Sequence, residues 1–349
     1  MDSATVHTGE SALDVLREEG WDELLAAAPS PDPTRRAGWL EAWHRHRNPE
    51  ARAAVVAVRR DGELVAALPL ILSNGGGLRR ARHLGADGPW MSLEPPSRDA
   101  EARRRLFAAL VEVPADLVIL DGLEAEGAVA ARDVLPGAHG VSAGPGFRLH
   151  VDSPPRSMRK RRKEVRRGLR RAEDAGRPLS TRAFSGAAEV VPRLDAIMDF
   201  HARHFDRDPP NGFAGPEARE FTRRALGGVC ADDLRLVEVR DHEDRLVAFD
   251  LAIVSGEYAS SYSGALDRES GLPNLGWISV LALIESLAEE GVKVVDFGPE
   301  SAGYKSLIAD PVPFERLYAP LTAKGRAALA ARRAKTWLRG RIGGADSKE

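Results

Sequence analysis

Apolar positions in residues 11–28 recur at three- and four-residue intervals, the spacing of an amphipathic helix, and a second such stretch covers 37–47 with Trp39 and Trp43 one turn apart. The period then falls to two. AAVVAVRR (53–60), the dipeptide Asp61-Gly62 and ELVAALPLIL (63–72) form a hairpin signal, because Asp-Gly adopts the left-handed backbone that a two-residue turn demands. LRRARHLG (78–85) reads as a third strand, GADGPW (85–90) as a loop, 100–111 as a helix and DLVILDGL (116–123) as a buried strand.

The same order returns in the second half. LRLVEVR (234–240), the turn DHED, RLVAFDLAIV (245–254), EYASSYSGALD (257–267), the loop RESGLPNLG, the helix WISVLALIESLAEEG and the strand VKVVDFG (292–298) repeat hairpin, strand, helix, strand. An offset of about half the chain points to duplicated domains rather than a short-repeat solenoid. The expected fold is α/β (α+β) with two tandem lobes, each a mixed, mostly antiparallel sheet flanked by helices. The expected boundaries are 1–150 for the first lobe, 151–177 for a basic linker helix, 178–325 for the second lobe and 326–349 for a basic tail helix.

Composition narrows the chemistry. At 349 residues, 43% hydrophobic and 29% charged, the chain reads as an ordinary globular protein with room for two cores. No apolar run reaches the ~18–20 residues of a membrane helix, and the acids among the first residues replace the basic region of a secretory signal, so a cytoplasmic location is expected. Cys230 is the single cysteine, which excludes an internal disulfide and any CxxC metal site. The histidines lack HExxH spacing, so no metal and no permanently bound cofactor are expected. There is no GxGxxG after a first strand, no GxxxxGK[ST] and no GxSxG nucleophile elbow, the string GVSAG (140–144) having no helical stretch behind it, which counts against hydride transfer, nucleotide hydrolysis and serine-hydrolase chemistry. Ser73 to Leu78, SNGGGL, is a turn between strands with no helix behind it.

Net charge is only −2, yet ten of the sixteen residues in RSMRKRRKEVRRGLRR (156–171) are basic. Met158, Val165, Leu169 and Ala172 share one helical face, leaving a cationic remainder. This is either a solvated helix or a phosphate-binding surface, since clustered guanidinium groups hold polyanions well. Aromatic residues for base stacking are absent from it.

The series DFHARHF, LRLVEVR, RLVAFDLAIV, YSGALD, LGWISVLALIESLAEEG and DFGPESAGYK resembles the GNAT-like acyltransferases of the FemABX and cellulose-biosynthesis acetyltransferase type, over roughly residues 156–321. The resemblance implies two GNAT-like lobes, an acyl-CoA or aminoacyl-tRNA donor, and transfer of the acyl group to an amine. It also implies two splayed parallel strands, here 257–267 and 292–298, whose open amides receive the donor carbonyl. The family's glycine-rich pyrophosphate loop is replaced by RESGLPNLGW, so Arg268, Asn274 and Gly276, with Arg162 from the basic helix, are the expected donor contacts, and Asn274 is a candidate helix cap.

Tyr304 is the expected acid for the departing thiolate, and Lys305 beside it a point charge for a donor phosphate or an acceptor carboxylate. Asp296 ends a strand and would orient the amine, pair with Lys305 or cap the following turn. Asp250 interrupts an apolar strand and must be paired or face a cavity. His204, three residues after His201, is a candidate base. Asp250, Tyr262, Trp90 and His201 are candidate acceptor contacts. Expected partners are a small-molecule amine acceptor and acyl-CoA, with tRNA as the alternative donor and no membrane span. The rival of another class is a non-catalytic scaffold that docks nucleic acid or an acidic partner through 156–171.

Overall fold

The computed structural model describes residues 2–86, 91–204, 213, 215–299 and 303–343. The first half runs β1 (Asp2–Thr8), α1 (Glu10–Arg17), α2 (Glu19–Ala26), α3 (Ala37–Arg47), β2 (Arg52–Arg60), β3 (Glu63–Gly75), β4 (Leu78–His83), α4 (Ala100–Ala108), β5 (Leu117–Leu123), α5 (Ala125–Val134) and β6 (His139–His150). After α6 (Arg156–Asp174) come β7 (Ser180–Ser185), α7 (Gly186–Val190), α8 (Leu194–His204), α9 (Pro216–Arg224), β8 (Leu234–Arg240), β9 (Leu246–Ser255), β10 (Tyr258–Leu266) and α10 (Leu275–Glu289). The last elements are β11 (Val294–Pro299), β12 (Asp310–Pro320) and α11 (Ala323–Gly343). The hairpin turn forms as the sequence implies, with Asp61 at φ 52° and Gly62 at φ 92°. The helix expected over 11–28 is instead two helices, because Glu18 is extended at φ −63°, ψ 141° and breaks the ladder between them.

Among the described residues the twelve strands form one sheet in the order β1-β2-β3-β4-β5-β12-β6-β11-β10-β9-β8-β7. The order is a pseudo-two-fold palindrome in which β1 to β6 match β7 to β12. β4 with β5 and β10 with β11 pair in parallel, and the other neighbours are antiparallel. At the centre, β6 and β12 pair from Asp310 opposite Arg148 to Tyr318 opposite His139. Each half therefore lends its last strand to the other: β6 lies against β11, and β12 lies against β5. The segments 1–150 and 178–325 are not two separately closed sheets, because a strand's apolar period reports its two faces and not its neighbour.

Three cores cover the sheet. One joins helices of both halves: Trp39 and Trp43 of α3 set their rings edge-on to Phe221 of α9 at 5.4 and 5.0 Å, and Trp39 also meets Tyr262 of β10 at 5.5 Å. A second packs α4 and α5 onto β2, β3 and β5, with Leu317 and Ala319 of β12 completing it. The third packs α6 and α10 onto β8 to β11. The segment expected as a linker is thus a packed element, with Met158, Val165 and Ala172 buried against the α10 layer. The tail helix α11 docks through Leu329 onto Leu78, Leu117 and Tyr318, where a Cβ on Gly325 would lie 1.8 Å from the Asp116 carbonyl.

Because Leu317 is a fully buried second-half residue inside a first-half core, its truncation tests the exchange. Leu317→Ala should cost about 2–5 kcal/mol. Urea denaturation followed by tryptophan fluorescence and circular dichroism should show one coincident transition, shifted to lower urea. Two separated transitions would mean that the halves unfold independently.

Candidate active site

The parallel pair β10/β11 holds register for three residues only, Tyr258 with Val294, Ala259 with Val295 and Ser260 with Asp296. Beyond that point β10 shifts register between Ser261 and Ser263, and β11 swings away at Gly298, whose φ of 67° is left-handed. β4 and β5 separate in the same way after Arg82 and Ile119. The two splits differ in what fills them. In the first half, Nδ1 of His83 accepts the Asp121 amide at 3.1 Å, closing that split with an imidazole. In the second, Oδ1 of Asp296 accepts the Gly298 amide at 2.8 Å. The Gly298 N–H is therefore held by a carboxylate and is not open, as the splayed-strand expectation required.

Asp296 is completely buried and paired with Arg148, not with Lys305. Its Oδ2 accepts from Arg148 Nε at 2.6 Å and from the Tyr258 hydroxyl at 2.8 Å. Arg148 reaches back through Nη1 and Nη2 to Glu124 at 3.1 and 2.6 Å, and Glu124 accepts from Ser92 Oγ at 3.0 Å. Asp32 closes the circuit: it accepts from the Met91 amide at 2.7 Å and lies 3.5 Å from Ser260 Oγ. Burial pushes the Asp296 carboxyl up while Arg148 pulls it back, and burial drives the Tyr258 phenol far above its ordinary value. Arg148 is held firmly protonated by Glu124 and Asp296 against its own burial.

Tyr304 stands past the end of β11, 37% exposed, with its ring edge-on to Trp277 of α10 at 6.2 Å and to Phe297 at 6.5 Å. Lys305 turns inward, donating Nζ–H bonds to the carbonyls of Phe297 at 2.5 Å and Pro299 at 3.1 Å, so its charge braces the end of β11. Asp250 of β9 is buried, and a Cβ on Gly264 of β10 would lie 2.4 Å from its Oδ1. Burial raises it to about 7, opposed by the Ser279 hydroxyl of α10.

The other candidates gather elsewhere. His201 packs against Phe213 at 4.6 Å and Tyr262 against Trp39, both in the core shared by α3, α8 and α9. His204 stacks on Phe200 at 4.4 Å and lies 3.6 Å from Asp267. These histidines belong to the core opposite the α6–α10 layer that surrounds Tyr304. Trp90 lies outside the described residues.

At the N-terminus of α10, Asn274 adopts a left-handed backbone at φ 60° and makes no side-chain cap bond. Its side chain instead meets α6, where a Cβ on Gly168 would lie 2.9 Å from the Asn274 amide nitrogen. Arg161 stacks 5.0 Å over the Trp277 ring, Arg162 lies 3.3 Å from Glu285, and Arg177 donates to the Ser270 carbonyl at 3.3 Å. Gly276 sits under Leu266, and Arg268 is exposed on the loop before the helix. Arg156, Arg159, Lys160, Lys163, Arg166, Arg167, Arg170 and Arg171 remain on the exposed surface of α6. The result is a cationic helix docked beside a helix N-terminus, next to a split parallel pair.

Residues 159–306 match the family model described as an acetyltransferase (GNAT) domain. The matched segment is therefore similar to a GNAT acetyltransferase domain. It spans α6 to the turn carrying Tyr304 and Lys305, and so contains the β10/β11 split and α10. Among solved structures the chain is similar to FemX, at 14% identity and TM-score 0.57 over 84% of this chain and 94% of that one. It is similar also to the C-terminal domain of a putative lysylphosphatidylglycerol synthetase from Agrobacterium fabrum, at 14% identity and TM-score 0.52 over 78% and 85% of the two chains. A conserved protein of unknown function from Bacteroides thetaiotaomicron aligns at 11% identity and TM-score 0.52 over 81% and 89%. At these identities the likeness is one of fold, and it extends over both halves of the sheet. A search of curated proteins finds no match.

Sequence reasoning missed Arg148, Glu124, Tyr258 and Asp32. The partners that join them across the sheet lie 24 to 228 residues away, and GFRLH or SPDPT carries no local signal of such pairing. The Asp250 carboxyl yields a pH test. Its folded value of about 7 exceeds the reference of 3.8, so the stability tied to its neutral form is complete below pH 3.8 and is lost as pH rises to about 7. Asp250→Asn should remove a slope of about 4 kcal/mol across that window. Urea midpoints from pH 4 to 8 for both proteins check this, and parallel curves would show that Asp250 is ionised throughout.

Proposed function

We propose that the chain transfers an acyl group from acyl-CoA to the amine of a small-molecule, cell-envelope or natural-product acceptor. The donor's phosphates lie against α6 and the N-terminus of α10, and its thioester enters the split between β10 and β11. The observation that carries this reading is the docking of α6 on Asn274 and Trp277, which brings exposed cations beside the helix N-terminus and Tyr304.

The chemistry balances without a covalent enzyme intermediate. The neutral amine attacks the thioester carbon, the carbonyl oxygen takes the charge, and collapse breaks the C–S bond. The thiolate receives a proton from the Tyr304 phenol, while the new amide nitrogen loses its extra proton to water, which restores the phenol. Displacing Asp296 from the Gly298 amide would free an N–H for the carbonyl oxygen.

Eight exposed cations on one helix also favour a second reading, in which aminoacyl-tRNA is the donor. Mass spectrometry of reactions containing a panel of acyl-CoAs or charged tRNAs, each with and without amines, separates the two. Consumption of acyl-CoA with little salt dependence is expected. Consumption of charged tRNA alone, falling steeply with salt, would overturn the first reading.

Two variants probe the roles. Tyr304→Phe should lower kcat by about 100-fold or more with the donor KM nearly unchanged. Reversing Arg166, Arg167 and Arg170 to Glu should raise the donor KM at least about tenfold at unchanged kcat. Unaltered kinetics in both would remove the donor site from this layer.

A further inference from the structure

Arg35 lies in the short turn 33–35 between α2 and α3, with its N–H bonded to the Asp32 carbonyl at 2.9 Å and its own carbonyl accepting from Trp21 Nε1 at 3.0 Å. Its side chain is the anomaly. The residue is 2% exposed, and Nε, Nη1 and Nη2 have no hydrogen-bond partner among the described residues. Asp32 is already committed: Oδ1 accepts from the amide and hydroxyl of Thr34, and Oδ2 from the amides of Met91 and Ser92.

Two more buried polar atoms within reach of the Arg35 charge share this condition, Nε2 of His83 and Oε1 of Glu94. Since His83 Nδ1 accepts the Asp121 amide, the neutral ring carries its proton on Nε2 and presents a donor. Glu94 Oε1 lies 3.6 Å from Arg103 and accepts no hydrogen bond among the described residues. Backbone bonds place the three in one region of the first half: the Ser92 amide donates to Asp32, the Glu94 amide to the Ser92 hydroxyl, the Leu93 amide to the Gly122 carbonyl, and the Asp121 amide to His83. Asp32, three residues before Arg35, extends this region to the β10/β11 split, since its Oδ1 reaches Ser260, the last β10 residue paired with β11.

A buried guanidinium with no partner destabilises a fold, so the arrangement is economical only when something outside the chain supplies its acceptors. We propose that Arg35 and His83 Nε2 bind the carboxylate of an acceptor that also bears the reacting amine, with Glu94 Oε1 taking an acceptor N–H. This rests on the acyl-transfer reading. A carboxylate fits better than a phosphate dianion, because Asp32 and Glu94 leave little positive charge in excess around Arg35. A planar carboxylate also matches the guanidinium fork.

The test measures binding without donor. Glycine, β-alanine and γ-aminobutyrate are titrated against the full chain by calorimetry and thermal shift, with glycinamide and O-phosphoethanolamine as controls. At least one carboxylate should bind and raise Tm, and both controls should fail. Arg35→Met should weaken that binding about 10- to 100-fold while leaving the Tm of the free protein unchanged or higher, because it removes a buried guanidinium whose N–H groups have no acceptor among the described residues. A structural arginine would give the opposite sign, and a Tm lowered by several degrees would overturn the proposal. His83→Asn keeps an acceptor for the Asp121 amide and loses Nε2, so it should lose affinity at constant Tm; full affinity would count against the anchor. Binding of none of the carboxylates, or of O-phosphoethanolamine in their place, also overturns it. Acyl-CoA consumed only with carboxylate-free amines would sink this proposal and spare the transfer reading. Carboxylate binding without acyl-CoA turnover would do the reverse.

Discussion

The arginine at position 148 ties the molecule together. It stands on the strand that the first half lends to the second, and its guanidinium bonds Asp296 on one side and Glu124 on the other, so one cation bridges β11 and the end of β5. A buried charge is tolerable only when its partners are fixed and hydrogen-bonded. Here the partners are fixed by the strand exchange, and the Tyr258 hydroxyl and Gly298 amide complete the Asp296 carboxylate. Removing Arg148 would leave the buried Asp296 and the half-buried Glu124 without the cation they share.

A palindromic sheet with unequal splits follows from single residues at matching places. His83 puts an imidazole into the first split, and Asp296 puts a carboxylate into the second. The flanking helices differ as well: α10 is met at its N-terminus by the cationic α6, whereas α4 and α5 pack over the first half. The two similar frames thus carry different side chains at their splits. The core shared by α3 and α9 holds the halves in one body, through the Trp39, Trp43 and Phe221 rings.

Much of the frame was legible along the chain. The Asp61-Gly62 hairpin, the Trp39–Trp43 face and the apolar seam of 156–171 follow from local period and turn chemistry, whereas the split of β10 from β11 was an implication of the family resemblance. Tyr304 and Trp277 lie together because the turn after β11 returns over the start of α10. Lys305 was legible as a functional type but not as a brace, since its partners are backbone carbonyls, which every residue has. His201, His204 and Tyr262 read as polar candidates, yet they pack among the aromatic rings of the opposite core.

By itself the sequence determined the elements, their duplicated order and the cationic helix, because periodicity, turn residues and charge density act over neighbours a few positions apart. Only the tertiary structure decided that β6 and β12 change places, that Asp296 answers to Arg148, and that the buried Arg35 side chain has no hydrogen-bond partner among the described residues. These outcomes depend on which groups meet across 100 or more residues of intervening chain, and on the loss of water that makes an unmet charge costly there. Desolvation is a property of the assembled interior, and no local pattern of residues encodes it.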